Sequence, residues 1–327
     1  AVPGVIASPQ PSTATKIALV GTTTQEPSHT VLAPTNTPNI PSATETAVVP
    51  VGQRDTPVPL ADGTLVYFAE RSNNFDIYRM NLTTRVEIQL TSAVSSELYP
   101  AVSPDGAQIA FMSDADGDYD IYVMDINGHN SRRLTDNTVT DRTPSWSPDG
   151  QWIAFSTDTR GDGGDDLYEI HSDGSGLKQL YTDGQRNTSP VFSKDGQSIY
   201  FISGSISDGT TWEIKRLDLA SGQVTALTHN SVMDWSPALM PDGNLIYDTE
   251  GDGHAALAEM KADGSGSHVL YDGQGYEWGA AFSPSGSLIT FTSDASGRDE
   301  IYLMNADGSN IRQVTDLGGM GAVWVPQ

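Results

Sequence analysis

Pro144-Ser145-Trp146-Ser147-Pro148-Asp149-Gly150-Gln151-Trp152-Ile153-Ala154-Phe155 is the stretch on which the fold turns. Within Ser147-Pro148-Asp149-Gly150, Pro stands second and Gly fourth. Pro presets φ for the first central position of a type I turn, and Gly suits its last position. The residues after the turn alternate, with Ile153 and Phe155 two apart. Period-2 alternation marks a strand with one buried face. The stretch therefore reads as strand, tight turn, strand.

Outward from it, the same turn recurs as Asp62-Gly63, Asp105-Gly106, Asp195-Gly196, Asp242-Gly243 and Ser285-Gly286, at intervals of 43 to 47 residues. Three residues after each turn glycine stands a β-branched residue: Val66, Ile109, Ile153, Ile199, Ile246 or Ile289. Two further on stands Phe68, Phe111, Phe155, Phe201 or Phe291, with Asp248 as the exception. A third strand recurs as Asp76-Ile77-Tyr78, Asp120-Ile121-Tyr122, Asp166-Leu167-Tyr168 and Glu300-Ile301-Tyr302. A fourth ends in Leu90-Thr91, Leu134-Thr135, Leu227-Thr228 and Val314-Thr315. Four strands per repeat of this length, six times over, predict an all-β six-bladed propeller of four-stranded antiparallel blades over residues 55–327. The Pro-Ser-Trp-Ser-Pro-Asp-Gly, Ile-Ala-Phe, Asp-Leu-Tyr pattern resembles the repeat of TolB-type (WD40-like) β-propellers. In repeats four and five Trp212-Glu213-Ile214 and Ala256-Leu257-Ala258 replace Asp-Ile-Tyr, so unusual outer strands are expected there. Val323-Trp324-Val325-Pro326 matches Ser145-Trp146-Ser147-Pro148. The C-terminal strand is therefore expected to supply the inner strand of blade 1 and leave no open sheet edge.

Residues 1–54 differ from the rest. Residues 1–53 hold eight Pro and ten Thr but only three charges, Lys16, Glu26 and Glu45. Pro-rich composition of this kind reads as an extended arm. Ile17-Ala18-Leu19-Val20 and Val48-Val49-Pro50-Val51 interrupt it with β-forming apolar residues. A featureless linker has no need of them, and they are the candidate contacts for self-association. The first residue, Ala1, is expected to follow a processing site.

Formal charge is −25, with 17 Lys and Arg against 42 Asp and Glu. Such a surface repels phosphate backbones, so nucleic acid is excluded as a partner. No apolar run is long enough to span a bilayer, and the absence of Cys removes disulfides and thiol chemistry.

For function, residues that differ between repeats are the candidates. The loops entering the innermost strands carry Glu97 and Tyr99, Asp141 and Arg142, Arg186 and Asn187, Asp234 and Trp235, and Glu277 and Trp278. Mixed charge with Tyr and Trp suits a protein or glycan contact at one mouth of the central channel, or else a channel closed by its own salt bridges. The TolB resemblance implies a docking partner at that mouth. Asp114, Asp116, Asp118 and Asp120 alternate as Ca²⁺ ligands do, against the reading of a solvated acidic turn. The six His show no pair at ligand spacing. Arg160-Gly161-Asp162 looks like an adhesive tripeptide, and Asn81-Leu82-Thr83 and Asn187-Thr188-Ser189 are glycosylation sequons. No Gly-x-Ser-x-Gly elbow or paired base is present, so an enzyme is not expected. The primary expectation is a secreted, extracellular or cell-surface structural protein that assembles head-to-tail into a filament through its arm. The alternative is a tethered or periplasmic propeller that binds a protein or glycan at the channel mouth. A propeller lyase or hydrolase using a channel-mouth metal is the third reading.

Overall fold

The computed structural model describes residues 63–161, 163–205, 212–250 and 253–326. The arm, with Ile17, Ala18, Leu19, Val20, Val48, Val49 and Val51, lies outside these residues. The described elements are strands only, and no described helix is long and apolar enough to cross a membrane. They form six four-stranded antiparallel sheets, as expected from the repeat.

Each blade starts at the channel. In blades 2 to 6 the inner strands are Glu97–Val102, Asp141–Trp146, Arg186–Phe192, Asp234–Leu239 and Glu277–Phe282. In blade 1 the inner strand is Met320–Trp324, which pairs Leu65 with Trp324 and Val66 with Val323. The C-terminal strand thus closes the ring. Trp146 and Trp324 each donate Nε1–H to the carbonyl of Ala101 and Ala281 respectively, in the preceding blade, at 3.0 Å.

The repeated motifs have local physical causes. In Ser103-Pro104-Asp105-Gly106 the Ser103 hydroxyl donates to Asp105 Oδ1 at 2.6 Å and accepts Gln108 N–H at 2.9 Å. Gly106 N–H returns to the Ser103 carbonyl, with φ of +71°, a region only Gly enters cheaply. The Asp-Ile and Leu-Thr motifs are two halves of one device. Thr135 accepts the Ile121 N–H at 3.0 Å and donates to Asp120 at 2.9 Å. Thr315 does the same for Ile301 and Glu300. The short outer strand is thereby held where ladder bonds are few. Blades 4 and 5 keep outer strands of ordinary length, Val224–Ala226 and His268–Tyr271, despite their divergent motifs.

Register corrects one sequence alignment. The turn of blade 5 closes from Met240 N–H to Asn244 O, one residue tighter than Ser103 to Gln108 in blade 2. Counting from the turn glycine therefore misplaces the second strand by one residue. Tyr247 is the counterpart of Phe111 there, and Asp248, paired with Trp235, is the counterpart of Met112. Blade 1 shows the same offset, so Tyr67 takes the Phe position and Phe68 the inward one. Tyr67, Phe111, Phe155, Phe201 and Phe291 are buried between blades. A one-residue slip in a strand exchanges its two faces, so Phe68 and Asp248 turn to the following blade, where Phe68 lies against Tyr99 and Asp248 accepts the Gly279 N–H.

Candidate functional site: the central channel

The channel wall is built by one feature repeated six times. Each inner strand except that of blade 1 enters opposite a small or hydroxylated residue of the second strand: Glu97 faces Ser113, Asp141 faces Thr157, Asn187 faces Ser203, Asp234 faces Thr249 and Glu277 faces Ser293. Two residues later the chain bulges. Tyr99, Thr143, Ser189, Ser236, Gly279 and Gly321 all take positive φ, between +46° and +64°. Bulges leave a residue without a ladder partner and re-aim its side chain. These six positions ring a cavity of about 240 Å³, together with the prolines and alanines that follow them and Trp278.

The ring is held from the neighbouring blades. Gly279 N–H donates to both oxygens of Asp248 at 3.1 and 3.0 Å, Gly321 N–H to Thr292 Oγ1 at 3.0 Å, and Ser189 N–H to Thr143 Oγ1 at 3.2 Å. Asp248 is wholly buried, and that burial pushes its carboxyl well above the usual range.

The wall is not symmetric. Tyr99 is its one large side chain at a ring position, and its ring lies 5.2 Å from Phe68. Blades 6 and 1 supply glycine instead, and a Cβ on Gly321 would meet the Phe68 ring at 2.7 Å. Blades 3 and 4 supply Thr143 and Ser189. No charged residue lines the cavity among the described residues, and Tyr99 is the one titratable group.

Of the ten residues proposed from sequence for the mouth, Tyr99 and Trp278 line this cavity. Six others, Glu97, Asp141, Asn187, Asp234, Trp235 and Glu277, are built into the scaffold instead. Glu97, Asp141, Asn187, Asp234 and Glu277 are buried, and their side chains bind the scaffold. Asn137 and Asn230 donate to Asp141 and Asp234 four residues on, each at 2.7 Å. In blade 4 the pair is reversed, with Asn187 donating to Asp183 at 2.8 Å. Glu277 collects Gly273 N–H, Gly275 N–H and Ser293, and Glu97 collects Ser95 and Ser113. Burial raises the carboxyls of Glu97, Asp141, Asp234 and Glu277 in spite of these donors. Trp235 is a core residue stacked on Tyr276. Arg142 and Arg186 converge on Asp165, which stands where blade 2 has Tyr119 and blade 6 has Asp299 and which sequence reasoning passed over.

The acidic turn does not gather into a cage. Asp114 accepts Ser96 N–H at 2.7 Å, Asp116 pairs with Arg133, and Asp120 accepts from Thr135. Among the described residues no group of three or more His, Asp or Glu is placed to hold a metal ion. The Arg160 guanidinium is bound to Asp166 at 2.7 Å, which removes it from an exposed adhesive tripeptide. Asn187 is fully buried, so that sequon offers no acceptor in the folded protein. Asn81 spends its Oδ1 on Thr83 and Thr84.

The prolines and small residues of the ring left a sequence signal that was read only as turn and strand: Tyr99-Pro100, Thr143-Pro144, Ser189-Pro190 and Ser236-Pro237 recur at one repeat position.

Comparison with known proteins agrees with this architecture. The TolB beta propeller domain model matches residues 56–277. The chain is 30% identical over 257 residues to a protein TolB homolog of Chlorobium luteolum, covering 78% of this chain and 57% of that protein. It is 31% identical over 170 residues to an uncharacterized protein of Agrobacterium fabrum, covering 49% of this chain and 57% of that one. The chain thus spans little more than half the length of these relatives. The crystal structure of TolB from Acinetobacter baumannii superposes with a TM-score of 0.71 at 21% identity, covering 81% of this chain and 67% of that one.

Proposed function

The chain belongs to the TolB β-propeller family, and we propose that it is an extracytoplasmic, periplasmic or tethered, binding module that takes a segment of a partner protein into the central channel. The observation that carries this reading is the division of labour at the channel. The carboxylates of the entry strands are consumed by the scaffold, while an uncharged cavity faced by Tyr99 is left open, with the buried Trp278 at its edge. Concave, mostly apolar sites with a few aromatic anchors are the usual form of a recognition site. A glycan is disfavoured because the wall lacks the rows of polar side chains that sugar hydroxyls require. No catalytic role is assigned, since Tyr99 alone could exchange a proton there. Head-to-tail assembly through the arm has no supporting observation in the fold or the relatives, and the binding module takes its place.

The test is selection from a displayed seven-residue peptide library on immobilised full-length protein. Tyr99→Ser copies the residue found at this position in blades 4 and 5, and Gly279→Tyr copies that of blade 2 into an open stretch of wall. Each is expected to weaken selected peptides by about tenfold or more, a loss of ~1.4 kcal/mol, and Gly279→Tyr also to lower the melting temperature by a few degrees because its backbone φ is +64°. Selected peptides indifferent to both substitutions would remove the channel from the proposal.

A further inference from the structure

The top of the channel is chemically two-sided. At the entry of the inner strands, cations occur in blades 3 and 4 only, as Arg142 and Arg186. Arg142 directly precedes the ring residue Thr143, and Arg186 stands three residues before Ser189, roughly 10 Å along the strand. Across a six-bladed ring, blades 3 and 4 stand opposite blades 6 and 1, where the wall is Trp278, Gly279 and Gly321.

The two guanidiniums share one buried carboxylate. Arg186 Nε donates to Asp165 Oδ2 at 3.0 Å, and Arg142 Nη2 lies 3.7 Å from Asp165 Oδ1. Asp165 and Arg142 are buried, whereas the Arg186 side chain keeps 21% of its surface exposed. The Nη groups of Arg186 take no part in its bond to Asp165. Burial, and the Arg142 charge beside it, hold Arg186 below the usual arginine range. A further carboxylate would offset the repulsion from Arg142. Asp158 also acts on Arg186, so the two arginines stand against two acids, on a protein whose net charge is −25.

We propose that Arg186, backed by Arg142, receives a carboxylate of the partner segment while an adjacent apolar side chain of that segment occupies the Tyr99–Trp278 side of the channel. The proposal rests on the channel-binding reading. The ligand class is a peptide that carries a carboxylate next to an apolar residue. Guanidinium is suited to it because its remaining N–H groups form a planar fork that matches carboxylate geometry.

The same peptide selection tests it. On the full-length protein, recovered peptides are expected to be enriched in Asp or Glu beside an apolar residue. Replacing that acid by Asn or Gln in a synthetic copy is expected to weaken binding about tenfold, as loss of a charge-assisted hydrogen bond does. Arg186→Gln is expected to erase the difference between the acidic and amide peptides, and Arg186→Lys to restore part of it. A second library displayed with free C-termini separates a terminal carboxylate from a side-chain one. The peptide substitutions leave the protein intact, so a folding defect in Arg186→Gln does not cloud the result. Peptides that depend on Tyr99 yet carry no acid preference would overturn this inference alone. Peptides that ignore Tyr99 and Gly279→Tyr would overturn the channel reading beneath it.

Discussion

Removing residues 320–327 is expected to leave the chain without a cooperative native state. The segment supplies the whole inner strand of blade 1, and with it the buried side chains of Met320, Ala322 and Trp324. Large-to-small changes at buried Met and Trp positions cost ~2–5 kcal/mol each. Their sum alone approaches the ~5–15 kcal/mol by which domains are stable. Two further losses follow. Trp324 no longer donates to Ala281 O, and Val325 N–H no longer donates to Thr64 O. Thr64–Arg71 would then present an unpaired edge with Leu65, Val66 and Phe68 uncovered, the kind of edge that templates aggregation. Far-ultraviolet circular dichroism and calorimetry of the truncated chain check this. A sharp unfolding transition near the full-length melting temperature would show that the ring does not depend on its closing strand.

That closure was readable because Val323-Trp324-Val325-Pro326 repeats the inner-strand pattern of Ser145-Trp146-Ser147-Pro148. The blade count was readable for the same kind of reason, since the turn recurs six times at intervals of 43 to 47 residues. The site was harder. Residues that vary between blades were taken as functional, yet Asp141, Asp234 and Asn187 vary in identity while making one conserved kind of bond. An Asn–Asp pair can be written in either order, and sequence comparison sees two changes where the geometry sees none. Conversely, the ring at Tyr99, Thr143, Ser189, Ser236, Gly279 and Gly321 is set by backbone φ. Side-chain type does not announce a left-handed bulge before Pro. Asp248 was noticed as an exception but placed on the wrong face, because one missing turn residue is invisible to counting and decisive for register. Asp165 stands directly before the third strand, at the position of Tyr119 and Asp299, and only folding brings Arg142 and Arg186 to it.

Those buried acids should make the propeller most stable in mildly acidic solution. Burial raises the carboxyls of Asp76, Glu97, Asp141, Asp165, Asp234, Asp248, Glu277 and Asp299. Asp120 is pushed up to about 7, by burial first and then by Asp141, Asp118 and Asp136. A carboxyl whose folded pKa exceeds its unfolded value of ~4 binds more protons when folded. Its contribution is complete below pH ~4 and is lost as pH rises through the folded value. The exposed turn carboxylates act in the opposite sense. Ser103, Ser147 and Ser193 hold Asp105, Asp149 and Asp195 below the usual range. What they contribute is present above pH ~4 and is lost as pH falls through their depressed values. The two sets leave a maximum at about pH 4. Self-repulsion at a net charge of −25 steepens the alkaline side. From pH 5.5 to 8 the melting temperature is expected to fall by about 5 °C or more, at the ~2–4 °C per kcal/mol typical of domains near this size. Asp120→Asn removes a group whose contribution is lost between about pH 4 and its folded value of about 7, so the variant should show a shallower fall over that range. Scanning calorimetry across both ranges, at one fixed ionic strength, decides the matter. A melting temperature that rises toward pH 8 would mean that these carboxylates are ionised and satisfied in the folded ring, with their protein donors outweighing the cost of burial.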